Sequence, residues 1–119
     1  MNEKTIAAIK KVSDTFCTNC SDIKRRAITV MSLIDFPVDF TVIPSTQYTF
    51  SGNELPFMNA IILDFNNGDD YSFRIIVCPK WIRAVSSYYE WCHYTDNYVT
   101  AIKELEEAIE KDIKVHCGL

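Results

Sequence analysis

The side chains of this 119-residue chain best suited to metal or redox chemistry are five cysteines and two histidines. Cys17 and Cys20 are separated by two residues, which is the spacing of one half of a tetrahedral zinc site. Each histidine stands next to a cysteine, at positions 92–93 and 116–117, and these pairs could supply the other half. A zinc site on Cys17 and Cys20 is therefore one hypothesis. We favour a structural interpretation, in which the cysteines bind no metal and are free thiols that pack as small apolar residues.

A redox role for Cys17 and Cys20 agrees less well with their position. A reactive pair of this spacing lies at the start of a helix that follows a β-strand. Here the pair follows a predicted helix.

Motifs for catalysis are absent from the sequence. It contains no glycine-rich phosphate loop, no serine-hydrolase elbow and no metalloprotease helix motif. Neither histidine has a serine or carboxylate partner at a recognisable spacing. We expect a protein that is not an enzyme and that carries no cofactor, zinc being the alternative.

A surplus of aromatic residues between positions 81 and 98 is the more informative feature. On a helix with 100° per residue, the segment after Pro79 would bury Trp81 and leave other aromatic residues off the buried stripe. Because tyrosine, tryptophan and arginine are enriched at interaction hot spots, these positions predict a partner-binding surface. The alternative is that another helix covers them. Asp69 and Asp70 form an acidic turn that we include in this surface. The predicted partner-binding residues are Arg83, Glu90, Trp91, Tyr94, Asp69 and Asp70.

Composition excludes several classes of protein. Hydrophobic residues make up 48% of the chain and charged residues 24%, which are the proportions of a packed domain rather than of a disordered chain. A pI near 5.1 argues against a nucleic-acid partner. No apolar run is long enough for a membrane span, and the charged N-terminus lacks the apolar core of a signal peptide, so we expect a cytoplasmic protein.

Charge is distributed unevenly along the chain. Residues 1–34 hold six basic and three acidic residues, whereas residues 35–119 hold six basic and thirteen acidic ones. Two parts that attract each other, or a basic partner for the acidic part, would explain this asymmetry.

Hydrophobic periodicity predicts helices at both ends and strands between them. Helical spacing of apolar residues covers 3–17, 23–34, 81–92 and 98–113, and strand-like runs cover 38–43, 47–51, 59–65 and 71–78. The Asn-Gly pair between the last two runs is a strong hairpin signal. The prediction is one α+β domain over residues 1–119, with an antiparallel sheet of about four strands flanked by N-terminal and C-terminal helices.

These observations favour a protein-binding module that acts by occupying the surface of another protein. A small acidic inhibitor, adaptor or chaperone-like protein, of the kind that phages and mobile elements encode, matches this description. A homodimer remains open, and the alternative function is a small zinc-binding protein using Cys17 and Cys20.

Overall fold

The computed structural model describes residues 2–36, 38–48, 58–66, 68, 71–79, 81–87, 90–94 and 98–117. For residues 91–94, 98 and 117 the description covers the backbone alone. The helical elements are α1 (Glu3–Lys10), α2 (Cys20–Leu33), α3 (Tyr98–Ala108), a π-helical segment (Ile109–Ile113) and a final turn, α4 (Lys114–Cys117). In this part of the chain, no helix has both the length and the apolar content needed to cross a membrane.

Five strands form one antiparallel sheet, in which each strand pairs with its neighbour in the sequence. The strands are β1 (Thr41–Tyr48), β2 (Met58–Asn66), β3 (Ser72–Val77), β4 (Trp81–Ser86) and β5 (Glu90–Tyr94). The predicted class, an α+β fold with an antiparallel sheet between N-terminal and C-terminal helices, is confirmed.

The hairpin predicted from the Asn-Gly pair is formed by β2 and β3, with Asn66 opposite Ser72 at its end. Gly68 has a φ of 113°, a conformation that L side chains rarely adopt. The Gly68 N–H donates a 2.8 Å hydrogen bond to Oδ1 of Asn66. Local turn chemistry therefore sets this hairpin, as the sequence indicated.

The helix predicted after Pro79 is wrong, because its residues form the hairpin of β4 and β5. Ile82 and Ala84 are buried in the main core, while Trp81 and Val85 belong to a cluster on the opposite face. This alternation has the period of a strand, and β4 pairs along its length with β3. Extending the sheet outweighs the helical spacing of the same apolar residues.

The two short strands predicted at 38–43 and 47–51 are one strand, β1, over the described residues. β1 is an edge strand and contains Pro44, which lacks an N–H to donate. Proline is tolerated at a sheet edge because the side without an N–H can face solvent, so that no hydrogen bond between strands is lost. The register of β1 against β2 shifts between Ser45 and Tyr48.

The first helix is shorter than predicted, since α1 ends at Lys10 rather than at residue 17. A hydroxyl-based turn follows, in which the Thr15 N–H donates to Oγ of Ser13. The Lys24 ammonium then donates to the carbonyl oxygens of Lys10 and Val12 at 3.3 and 2.8 Å. A side chain of α2 thus satisfies carbonyl groups left over where α1 ends.

The predicted second helix is confirmed as α2, and Asn2 fixes its C-terminal end. Nδ2 of Asn2 donates to the carbonyl oxygens of Met31 and Ile34, both at 2.6 Å. Oδ1 accepts a 3.3 Å hydrogen bond from the Phe36 N–H. Asn2 is 7% exposed, so these bonds join the start of α1 to the end of α2 inside the protein.

The C-terminal helix is confirmed, with a π-helical segment that the sequence did not predict. Glu110 and Lys114, four positions apart, form an ion pair. Glu107 and Lys111, at the same spacing, form no ion pair within the described residues.

α1, α2, α3 and the π-helical segment contribute to one hydrophobic core on one face of the sheet. The fully buried side chains at its centre include Ile9, Ile23, Met31, Leu63, Phe73, Ile75, Ile82, Leu105 and Ile113. A second, smaller cluster lies on the opposite face, where the buried residues Ala60, Ile62, Ile76 and Cys78 are packed against Tyr48, Met58, Trp81 and Val85.

Candidate functional site

Arg83 and Glu90, two of the predicted partner-binding residues, are engaged with each other. Nη2 of Arg83 lies 2.9 Å from Oε1 of Glu90 on β5, and Nη1 donates to the Tyr48 hydroxyl at 2.7 Å. The Arg83 side chain is 11% exposed. Burial alone lowers the pKa of Arg83, but its hydrogen bonds with Glu90 and Tyr48 raise it above the ordinary value. Arg83 is therefore always charged, and its hydrogen bonds connect β4 to β1 and β5 on the face of the sheet that carries the smaller cluster.

Trp91 and Tyr94, the predicted aromatic contacts, lie on β5 rather than on a helix. Trp91 is the register partner of Ala84, and Tyr94 is the partner of Trp81. Ala84 and Trp81 belong to clusters on opposite faces of the sheet. The helical face on which the hypothesis placed both residues does not exist. Asp69 and Asp70 lie outside the described residues.

Cys17 and Cys20 lie together at the start of α2, with their side chains in hydrogen-bonding contact. Sγ of Cys20 also donates to the Ser13 carbonyl oxygen at 3.1 Å. Burial, followed by the neighbouring Cys20, raises the pKa of the Cys17 thiol from 9.0 to about 11, and burial also raises the pKa of Cys20. Metal binding and redox exchange both use the thiolate, which these surroundings disfavour.

Further metal ligands do not join this pair in the part of the chain that the structure describes. No three histidine, cysteine, aspartate or glutamate residues meet there in an arrangement that could hold a metal ion. His116, named in the zinc hypothesis, instead has its Nε2 3.5 Å from Oδ1 of Asp112. The side chains of residues 92, 93 and 117 lie outside the described set.

Asp112 is a buried carboxylate that the sequence analysis missed. It lies in the π-helical segment and is 3% exposed, and its Oδ2 has no hydrogen-bond partner among the described residues. The ring of His116 stacks on Tyr71, with centroids 5.1 Å apart and planes 19° apart. The geometry anchors the end of the C-terminal helix against the start of β3.

An exposed apolar hollow between the end of α2 and α3 is the strongest candidate for a binding site. Leu33 is 56% exposed and Val99 is 86% exposed, although both are large apolar residues. With Ile102, Lys103 and Glu106 they line a hollow of about 360 Å³. We call these five residues the helical patch.

A larger cleft of about 560 Å³ adjoins the helical patch and shares Lys103 and Glu106 with it. Ile34 and Ile109 supply the apolar part of its lining. Charged side chains complete it: Asp35, Glu107, Glu110, Lys111 and Lys114. Lys103 and Glu106 form no ion pair within the described residues, so their charges are available to a partner.

A signal for the helical patch was present in the sequence. Val99 lies off the apolar stripe of the C-terminal helix, and valine is a poor choice for an outward helix position because its branched side chain loses rotamer freedom there. Leu33 is 66 residues earlier in the chain, so only the folded structure brings the two together.

No protein family, curated protein or solved structure matches this chain.

Proposed function

We propose that the protein is a non-enzymatic protein-binding module whose binding surface is the helical patch with the adjoining cleft. The observation that carries the proposal is the exposure of Leu33 and Val99 beside Ile102 in one hollow. Scattered apolar residues are ordinary on protein surfaces, but adjacent ones that line a depression are typical of interaction sites.

The arrangement of the helical patch supports a protein partner rather than a substrate. Its lining combines three apolar side chains with two charged ones, and the adjoining cleft adds more charged side chains, a mixture that is typical of protein–protein interfaces. The two side-chain pairs with groups that could take part in catalysis are Cys17–Cys20 and Asp112–His116. Neither lines the hollow or the cleft.

Binding would proceed by burial of apolar surface and by charge pairing at the border. A partner side chain placed in the hollow removes Leu33 and Val99 from water, and full burial of an aliphatic side chain contributes about 1.5–3 kcal/mol. Lys103 and Glu106 would then select partners by charge, which affects specificity and association rate more than affinity.

A cytoplasmic location also remains part of the proposal. It is supported by the odd number of cysteines and by Cys17 and Cys20, which are free thiols. Free thiols persist in reducing compartments.

The test is site-specific photo-crosslinking with p-benzoylphenylalanine at position 99, in cells that produce the protein. Position 115 is the matched control, because Val115 is also an exposed valine of the C-terminal helix, at 66%, but lies outside the hollow and the cleft. We expect a discrete protein adduct from position 99 and none from position 115. No adduct from position 99, or equal adducts from both positions, would contradict the proposal.

A further inference from the structure

We infer that the partner seated on the helical patch is a second copy of this chain, with the two α3 helices antiparallel across a twofold axis. This inference rests on the proposed function and names the partner of the same surface. It follows from three features of α3: its outward stripe, the signs of the charges on that stripe, and the cleft beside it.

The outward stripe of α3 consists of Val99, Lys103, Glu106 and, in the π-helical segment, Glu110, all exposed. Their spacing of four, three and four residues keeps them on one side of a helix. The opposite side is buried in the core through Ala101, Leu105 and Ala108. The stripe is therefore the part of the helix that a neighbouring helix would contact.

The charges on the stripe are self-complementary about a point between residues 104 and 105. In an antiparallel pair of helices centred there, Lys103 of each copy faces Glu106 of the other. A twofold interface repeats every contact, so one Lys–Glu pair implies two. Neither charge is ion-paired within the described residues, although the two are only three positions apart on one helix.

The same arrangement places each Val99 near residue 110 of the other copy. There the cleft of about 560 Å³ is lined by Ile34 and Ile109, which are 6% and 2% exposed, and by charged side chains, of which Glu110 is already paired with Lys114. Val99 protrudes, at 86% exposure, and in this arrangement it would enter the cleft of the other copy. Val99 and Glu110 are equally far along the helix from the point between residues 104 and 105, so each projection faces the cleft of the other copy, as a symmetric dimer requires.

A charge exchange tests the dimer. Lys103→Glu or Glu106→Lys alone places like charges opposite each other twice in the dimer, whereas the double variant restores opposite charges. We expect the dissociation constant from sedimentation equilibrium to rise about tenfold or more for each single variant and to return to within about threefold of wild type in the double variant. Lys11→Glu is the control, since it makes the same charge change at an exposed residue outside the patch, and it should leave dimerisation unchanged.

A second measurement uses the unmodified chain and does not depend on how a variant folds. Equal amounts of ordinary and ¹⁵N-labelled protein are mixed and treated with a carbodiimide, which joins an amine to a carboxylate without a spacer. We expect a cross-link between Lys103 and Glu106 whose two peptides carry different labels.

The outcomes separate the inference from the proposed function. A wild-type chain that stays monomeric at all concentrations overturns the inference. A dimer that the single substitutions leave intact, or that lacks the mixed-label cross-link, also overturns it. If position 99 still gives an adduct with a different protein, the proposed function stands and only the partner is wrong.

Discussion

Cys17 illustrates how its surroundings determine what a side chain can do. In sequence, a cysteine two residues from another is a candidate ligand or redox group. In the folded chain the thiol is half-buried, lies beside a second buried thiol, and has a pKa of about 11. The proton that metal binding or disulfide exchange must remove is therefore held more tightly than in an unfolded chain.

The elevated pKa of Cys17 predicts slow alkylation at ordinary pH. At pH 9 a thiol with a pKa of about 11 is about 1% thiolate, whereas one with a pKa of 9.0 is half ionised. We expect the rate of iodoacetamide labelling at Cys17, followed by mass spectrometry, to rise with a midpoint near pH 11 in the folded protein and near pH 9 in urea. A folded-state midpoint at or below pH 9 would contradict this and would revive the zinc hypothesis.

The same shift has a consequence for stability. The folded state holds the proton more tightly, so the contribution of this thiol is fully present below pH 9 and is lost as the pH rises toward 11. Cys17 therefore contributes to alkaline unfolding and not to acid unfolding.

At the scale of elements, Asn2 joins the start of α1 to the end of α2, which are 29 to 34 positions apart in the sequence. It supplies hydrogen-bond donors to the last carbonyl groups of α2 and accepts a bond from the chain that follows. An asparagine near the N-terminus has no sequence signal for this role, because its partners lie 29 to 34 positions away.

Replacing Asn2 tests this connection. We expect Asn2→Ala to lower the free energy of unfolding by about 2–3 kcal/mol in urea denaturation, because it leaves buried carbonyl groups without donors. Asn59→Ala is the matched control, since Asn59 donates a single exposed bond to the Thr18 carbonyl oxygen, and it should cost under about 1 kcal/mol. Equal losses in the two variants would show that Asn2 does not hold α2.

Whether a segment forms a helix or a hairpin could be predicted from the sequence where residues within that segment decide it. The hairpin of β2 and β3 was predicted from the Asn-Gly pair at positions 67–68, and in its turn Gly68 has a positive φ and donates a hydrogen bond to Asn66. The amphipathic patterns of α2 and α3 likewise indicate their faces. In each case the residues that fix the element lie within it.

The hairpin of β4 and β5 was not predictable in the same way. Trp81 and Val85 suit a helical stripe and one face of a strand equally well, and only pairing with β3 decides between them. The π-helical segment arises from packing too, since it brings Ile109, Asp112 and Ile113 inward together. The helical patch was missed for a related reason, because Leu33 and Val99 meet only in the folded chain.

At the scale of the whole molecule, the sheet has two differently covered faces. Helices cover the main core on one face, and on the other face large side chains from the strands cover a smaller cluster. Arg83 spans this second face from β4 to Tyr48 on β1, two strands that are not neighbours in the sheet. Arg83 therefore stabilises the sheet as a whole rather than a single pair of neighbouring strands.

A matched pair of arginine substitutions measures that contribution. Arg83 and Arg74 both lie on strands beside a carboxylate, but Arg83 is 11% exposed and Arg74, which pairs with Asp64, is 51% exposed. We expect Arg83→Met to lower the free energy of unfolding by about 1–3 kcal/mol, and Arg74→Met by about 0.5 kcal/mol or less, in urea denaturation. Similar small losses in both would show that Arg83 is an ordinary surface residue.

The strictly sequential order of the strands also affects how the chain can assemble as a ribosome makes it. Every strand pairs with the one synthesised just before it, so the sheet can grow strand by strand with no segment passed through a loop. The residues that α3 and the π-helical segment add to the main core, such as Leu105 and Ile113, are made after all five strands. Until they emerge, the nascent sheet keeps part of its apolar face open to water, and this is the interval in which a chaperone would be of most use to it.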